Sequence, residues 1–225
     1  MIKILGKKYL CRTAAVLSAL TVIFLAVLIF SKTSSAGIVG SPHDFSYAPV
    51  FPSDHGPGEI CKVCHVPHNA GTTDLPLWRG SLGSNGTYTL YSSDTLDATV
   101  NQPMVPTKAC LSCHDSTIGR GPLHGSCLDC HSFHGNTLNL AVHHPVSFTY
   151  DTTLAQADGA LHDPSAATVP SLGGKTIQQG MLYQNRMECA SCHDVHATKG
   201  DSTTAPNLLL VANNRSRLCL TCHNK

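Results

Sequence analysis

The chain has 225 residues, of which 13% are charged and 6% aromatic, with 11 Cys and 14 His. Five basic residues and no acidic one precede position 37, whereas residues 37–225 hold 10 Lys+Arg against 14 Asp+Glu, a formal charge of −4 with His neutral. This balance excludes a basic nucleic-acid binder, which needs clustered cations to neutralise phosphates. A single long apolar run excludes a polytopic membrane protein. So many Cys and His beside so few aromatics imply a core organised by a metal or cofactor.

The N-terminus reads as an export signal. Residues 1–12 are basic, Ala14–Phe30 is an uninterrupted, mostly apolar run, and Ser34-Ser35-Ala36 offers small residues at the recognition positions of a signal peptidase. Cleavage is expected after Ala36, leaving residues 37–225 as a single domain with no stable membrane span. The rival reading is an uncleaved anchor, since Ala14–Phe30 just reaches the lower limit of length for spanning a bilayer. In either case the body is exported, and its cysteines must be bridged, metallated or alkylated in an oxidising compartment.

All ten cysteines beyond Cys11 fall into one pattern, C-x-x-C-H. The copies are Cys61–Cys64–His65, Cys110–Cys113–His114, Cys127–Cys130–His131, Cys189–Cys192–His193 and Cys219–Cys222–His223. This is the attachment signature of c-type haem. Two intervening residues place both sulfurs along one porphyrin edge, where they add to the vinyl groups, and the next residue reaches the iron as proximal ligand. Zinc sites do not require His after every second Cys, and a redox dithiol occurs once, within a βαβ pattern absent here. A plain disulfide framework would not confine every cysteine to one spacing. The expectation is five covalently bound haem c groups with His65, His114, His131, His193 and His223 as proximal ligands.

Nine histidines remain for at most five sixth positions, which favours bis-His, six-coordinate iron and an electron carrier over an enzyme with an open iron. Met104, Met181 and Met187 are candidate iron ligands in the alternative, but are expected to fill gaps around porphyrin edges. Three motifs extend to C-x-x-C-H-x-x-H, adding His68, His134 and His196. Residues three apart on a short helix project from one side, so such a His cannot approach the same iron from the opposite face. If it ligates, it serves a neighbouring haem.

Elsewhere 18 Gly and 13 Pro predict a mostly irregular chain, with short helices at the CxxCH units and the polypeptide wrapped around a stacked haem chain. Thr87–Tyr91 and Val146–Tyr150 are candidate extended pieces. An internal repeat joins a CxxCHxxH unit, an apolar patch and a basic-x-Cys-Leu-x-Cys-His unit. Its copies span 61–114, through Leu75-Pro-Leu-Trp78, and 189–223, through Leu208-Leu-Leu210. A further haem unit is inserted near 127–134. Trp78 and the leucine patch are expected to pack on porphyrin faces, and the apo-chain, thin in aliphatic residues, is expected to be largely unfolded.

The doubled layout resembles extracellular multihaem cytochromes of metal-reducing bacteria, in particular the tetrahaem, filament-forming OmcE type. The resembling stretches are Gly40-Ser-Pro-His43-Asp-Phe-Ser46, Glu59–Asn69, Ala109–Asp115, His144-Pro-Val-Ser-Phe-Thr-Tyr-Asp151, Glu188–His196 and Leu218–Lys225. The likeness covers most of 40–225 and departs at about 119–142, where the additional unit lies. It implies distal roles for His43, His68, His144 and His196. With His134 from the inserted unit, five distal candidates face five irons, and His143 is an alternative to His144. His55, His124 and His162 are left to surface or propionate contacts. In the resembling filaments one axial His comes from a neighbouring subunit, and His43 is the candidate for that role here.

Five CxxCH units within 37–225 leave too little polypeptide per motif to insulate the haems from one another. The expectation is therefore an exported electron carrier, extracellular, at the cell surface or periplasmic. It would pass electrons between redox donor and acceptor proteins or to extracellular acceptors, as a homo-oligomer or a filament. The alternatives are a membrane-anchored quinol-oxidising cytochrome and a multihaem reductase with a five-coordinate iron.

Overall fold

A computed structural model describes residues 37–45, 60–68, 70, 75, 77–79, 86–114 and 139–225. All lie in the unit Ala36–Lys225. Most of this chain is irregular. Its helices are short: α1 Thr107–His114, α2 Thr152–Asp158, α3 Ile177–Gly180, α4 Cys189–Cys192 and α5 Arg217–Cys222, with a 3-10 turn at Ile60–Val63. Each described CxxC pair lies in or overlaps one of these turns, as the motif spacing predicts. Among the described residues, four two-residue strands form two antiparallel pairs. β1 Phe148–Thr149 joins β4 Arg186–Met187 with Phe148 opposite Met187, and β2 Thr168–Val169 joins β3 Lys175–Thr176 with Thr168 opposite Thr176. Among the described residues no helix is long and apolar enough to cross a membrane.

The elements outside the haem motifs form for local reasons. Asp151 caps α2 by accepting the Leu154 N–H at 2.9 Å, and Gly159 ends it in the left-handed region at φ 69°. Thr176 and Gln179 form a reciprocal capping box around α3. The β2–β3 turn closes through Pro170–Leu172 and Gly173. Of the two expected extended pieces, 146–150 contains β1, and 87–91 contributes an isolated parallel bridge from Thr89 to Asn139.

The main hydrophobic cluster gathers Phe148, Tyr150, Val169, Ile177, Met181, Met187, Val211 and Cys222. A smaller cluster holds Tyr88, Leu111 and Leu140. Met181 and Met187 are both buried among aliphatic and aromatic side chains. The buried Tyr150 ring donates its hydroxyl to His162 O at 2.6 Å. That bond ties the segment after α2 to the core beneath α5. Close backbone approach fixes the last loop: a Cβ on Gly200, at φ +54°, would lie 2.3 Å from Leu210 O.

Candidate functional site

Three of the CxxCH units are built the same way. In each, the N–H of the histidine bonds to the carbonyl of the first cysteine: His65 to Cys61 at 2.9 Å, His193 to Cys189 at 3.1 Å and His223 to Cys219 at 2.9 Å. The chain then leaves the turn extended, His193 at φ −117°, ψ 134° and His223 at φ −93°, ψ 133°. A two-bond main-chain clamp holds it there. Val66 N–H donates to Leu77 O at 2.8 Å while Arg79 N–H donates to Cys64 O at 2.9 Å. The equivalents are Asp194 to Leu208 (2.9 Å) with Leu210 to Cys192 (2.8 Å), and Asn224 to Ala160 (2.7 Å) with His162 to Cys222 (2.8 Å). Each histidine thus pairs with one residue across the clamp: His65 with Trp78, His193 with Leu209 and His223 with Leu161. Leu77 and Leu208 occupy matching places and share the left-handed region, at φ 57° and 58°. The internal repeat therefore extends to backbone conformation.

The structure brings histidines together in pairs. His65 and His196 lie with ring centres 6.2 Å apart and nearly parallel, at 17°. His43 and His114 are 6.0 Å apart at 58°, and His144 and His223 are 6.4 Å apart at 74°. Each pair joins a CxxCH histidine to one from outside its own motif. His196 faces His65 and not the His193 three residues before it, in keeping with the geometric bar on ligating the same iron. His43 faces His114 of its own chain. His68 is exposed after the first turn, and His143 is half-buried beside His144. Cys127, Cys130, His131 and His134, with the segment 1–36, His55 and His124, lie outside the described residues.

These residues fit haem on several counts. Two nitrogens bound to one metal from opposite sides, each at roughly 2 Å, put the two ring centres about 6 Å apart. Iron binds neutral imidazole. Burial, with the neighbouring His114, His193 and His196, lowers His43 to about 4. His114 is lowered by burial and then by His193, and His223 by burial and then by His144 and Lys225. The Nδ1 of His43 is buried without a hydrogen-bond partner. His193 Nδ1 lies 2.8 Å from Asn207 O and His144 Nδ1 2.9 Å from Pro145 O. Those carbonyls hold the proton on Nδ1 and leave Nε2 to a metal. Trp78 packs edge-on against His65 at 6.2 Å, its Nε1 buried without a partner.

At three of the described cysteines the surroundings oppose redox-dithiol chemistry. None of the eight described is bridged. Burial pushes Cys64 and Cys192 up to about 11 and Cys222 up to about 12, with neighbouring thiols adding to each. A redox dithiol requires the opposite, a thiolate stabilised near neutrality. Among the described residues no three His, Cys, Asp or Glu side chains converge as a zinc site requires.

The attachment sites also neighbour one another. Cys64 lies within electrostatic reach of Cys113, and Cys192 within reach of Cys219 and Cys222. The Cys110 and Cys189 thiols lie close enough to influence each other, which raises the first and lowers the second. Sequence reasoning missed two supporting carboxylates. Asp194, directly after His193, accepts from His196 N, Thr198 N, Thr198 Oγ1, Lys199 N and Ser202 Oγ at 2.7–3.3 Å and so shapes the loop that carries His196. An Asp followed at four and eight residues by Thr and Ser was the available signal. The second carboxylate, Glu188, is fully buried, and nothing in its sequence neighbourhood marks it.

No curated protein matches the chain. Residues 183–225, which hold α4, α5 and the second copy of the repeat, match the family of the doubled CXXCH motif. The CxxCH units indicate covalent haem c, and this match supports a multihaem c-type cytochrome that transfers electrons.

Proposed function

We propose that the chain is an exported pentahaem c-type cytochrome that carries electrons along closely packed bis-His haems toward an extracellular acceptor. Ten cysteines from Cys61 to Cys222 make the thioether bonds, and His65, His114, His131, His193 and His223 are the proximal ligands. His196 is the distal ligand to the iron of His65, His43 to that of His114 and His144 to that of His223. The observation that carries this reading is the set of three imidazole pairs at 6.0, 6.2 and 6.4 Å. His68 and His134 then serve the irons of His131 and His193. Since His134 is three residues from His131, it is assigned to His193 and His68 to His131.

Haem, once attached, supplies the one-electron Fe(III)/Fe(II) couple. The polypeptide holds the rings and sets their neighbours. The 189–193 unit is the hub: Cys189 N–H bonds to Thr107 of the helix that carries Cys110, Cys192 lies within electrostatic reach of Cys219, and His196 turns to the first unit. Four of the five attachment sites are thereby contiguous. With both axial positions filled from the chain there is no open iron at three motifs, which favours a carrier over a reductase. Assembly into a filament rests on the resemblance alone. Because His43 closes its ligand pair within one chain, each subunit completes that iron by itself.

A pyridine haemochrome assay on purified secreted protein is expected to give five haems per chain. Electron paramagnetic resonance is expected to show low-spin ferric iron only, and the reduced protein to bind no carbon monoxide. Fewer than five haems, or carbon monoxide binding to the unmodified protein, overturns the reading. Electron microscopy separates filament from monomer.

A further inference from the structure

Glu188 is a buried carboxylate with a complete set of donors, placed where two attachment sites meet. It is 1% exposed. Its Oε2 accepts from Thr107 Oγ1 at 2.6 Å and from Ser147 Oγ at 2.9 Å, and its Oε1 accepts from Arg186 Nε at 2.9 Å. Thr107 opens α1, the helix that carries Cys110. Its hydroxyl accepts the Cys189 N–H at 3.1 Å and lies 3.6 Å from Cys189 Sγ. The carboxylate is thus one hydroxyl away from the sulfur of one unit, and that hydroxyl belongs to the helix that carries the cysteines of the other.

The surroundings are built to keep it there. Ser147 is fully buried and held in the left-handed region at φ 62°, which costs a non-glycine residue energy. Three contacts hold Ser147 in place: its N–H donates to Met187 O at 2.7 Å, and its Oγ and carbonyl accept from Met104 N–H and Asn101 N–H. Arg186 is fixed through Nη2 to Val105 O at 3.0 Å. A buried ion pair is a weak source of stability compared with an apolar replacement of the same volume, so stability alone does not account for this arrangement.

We propose that Glu188 is a fixed negative charge that lowers the potentials of the haems attached at Cys110–Cys113 and Cys189–Cys192, favouring ferric iron at the hub. This rests on the haem reading above. The charge would act through space on whatever is bound at the two motifs, since its own contacts are all to protein side chains. Arg186 offsets it only in part, because the Arg186 side chain is 18% exposed and the Glu188 side chain is 0% exposed, and water screens the outer charge more than the inner one. Electron gain at either ring is opposed by the carboxylate and eased by the guanidinium.

The test is spectroelectrochemical titration of the holoprotein with Glu188→Gln and Arg186→Gln, each checked for haem content and low-spin iron. Glu188→Gln is expected to move the midpoints of two of the five haems upward, and Arg186→Gln to move the same two downward by less. Opposite signs distinguish a charge effect from loosened packing, which lets water in and moves both variants the same way. Same-direction shifts, or none in either variant at full haem content, overturn the proposal. If Glu188→Gln loses haem during maturation, Arg186→Gln decides alone: a downward shift supports the proposal and an upward or null shift refutes it. An unmodified protein with no haem at these two motifs would remove the cytochrome reading, and this inference with it.

Discussion

Asp194 offers the sharpest test of how the loop after His193 presents His196. Oδ2 accepts four hydrogen bonds, from Thr198 N (2.7 Å), Lys199 N (2.9 Å), Thr198 Oγ1 (3.1 Å) and Ser202 Oγ (3.3 Å), while Oδ1 accepts the His196 N–H at 3.2 Å. In Asp194→Asn the amide can present only one oxygen. Turned toward the four donors, it leaves its NH2 facing the His196 N–H and loses that bond. The other four lose charge assistance. Charge-assisted bonds contribute roughly 1.5–3 kcal/mol and neutral ones about 1 kcal/mol. The loss of one bond and the weakening of the two backbone bonds then amount to about 3 kcal/mol. Guanidinium unfolding followed at the Soret band should show that loss. The loop relaxes with it, so the iron of His65 should become partly high-spin and bind up to one equivalent of carbon monoxide.

The pH dependence carries its own sign. Burial raises the Asp194 carboxyl, but the bonds from Thr198, His196 and Lys199 outweigh it and hold the group below the usual 3.8. Its contribution is therefore complete above the unfolded value and is lost as pH falls through the lower folded value. The gap between wild type and variant should close in acid. If Asp194→Asn unfolds at the wild-type denaturant concentration with a wholly low-spin spectrum, the carboxylate does not hold the loop.

Further outcomes follow from single positions. His43→Ala should convert one haem of five to a high-spin form that binds carbon monoxide, and added wild-type protein should not restore it; rescue by mixing would show donation between subunits instead. Gly200→Ala should destabilise the holoprotein by about 2 kcal/mol or more in denaturant titration, because its Cβ would meet Leu210 O at 2.3 Å in a left-handed backbone; an unchanged midpoint would argue against that close approach. Gly37→Val should displace the segment carrying His43, since even a Cβ there lies 2.8 Å from Ala197 O; a high-spin fraction confined to one haem is expected. Chemical removal of haem should leave a chain whose circular dichroism is largely that of a coil, and a retained cooperative thermal transition would contradict this.

The chemistry was more legible in the sequence than the arrangement. C-x-x-C-H declares itself locally, because attachment geometry is set within one short motif, and the three described helices at those motifs follow from it. The bar on His196 serving the iron of His193 was legible for the same reason. Its ring neighbour, His65, was not, since the two stand in opposite halves of the chain and only folding joins them. Short elements were overlooked where their signals lay outside any periodic run. Asp151 and Gly159 bracket α2, and Thr176 with Gln179 starts α3, but helices this short show no amphipathic pattern. Glu188 left no trace because its value comes from Thr107 and Ser147, drawn from distant segments.

The clamp behind His65, His193 and His223 uses main-chain atoms alone, so its central residue is tryptophan, leucine and leucine in turn without any change of bonding. Such a joint is indifferent to what it grips. At the first two units motif and partner lie close in sequence, whereas the segment that grips His223 lies at 160–162, ahead of the 189–193 unit, so the same joint closes short loops and long ones alike.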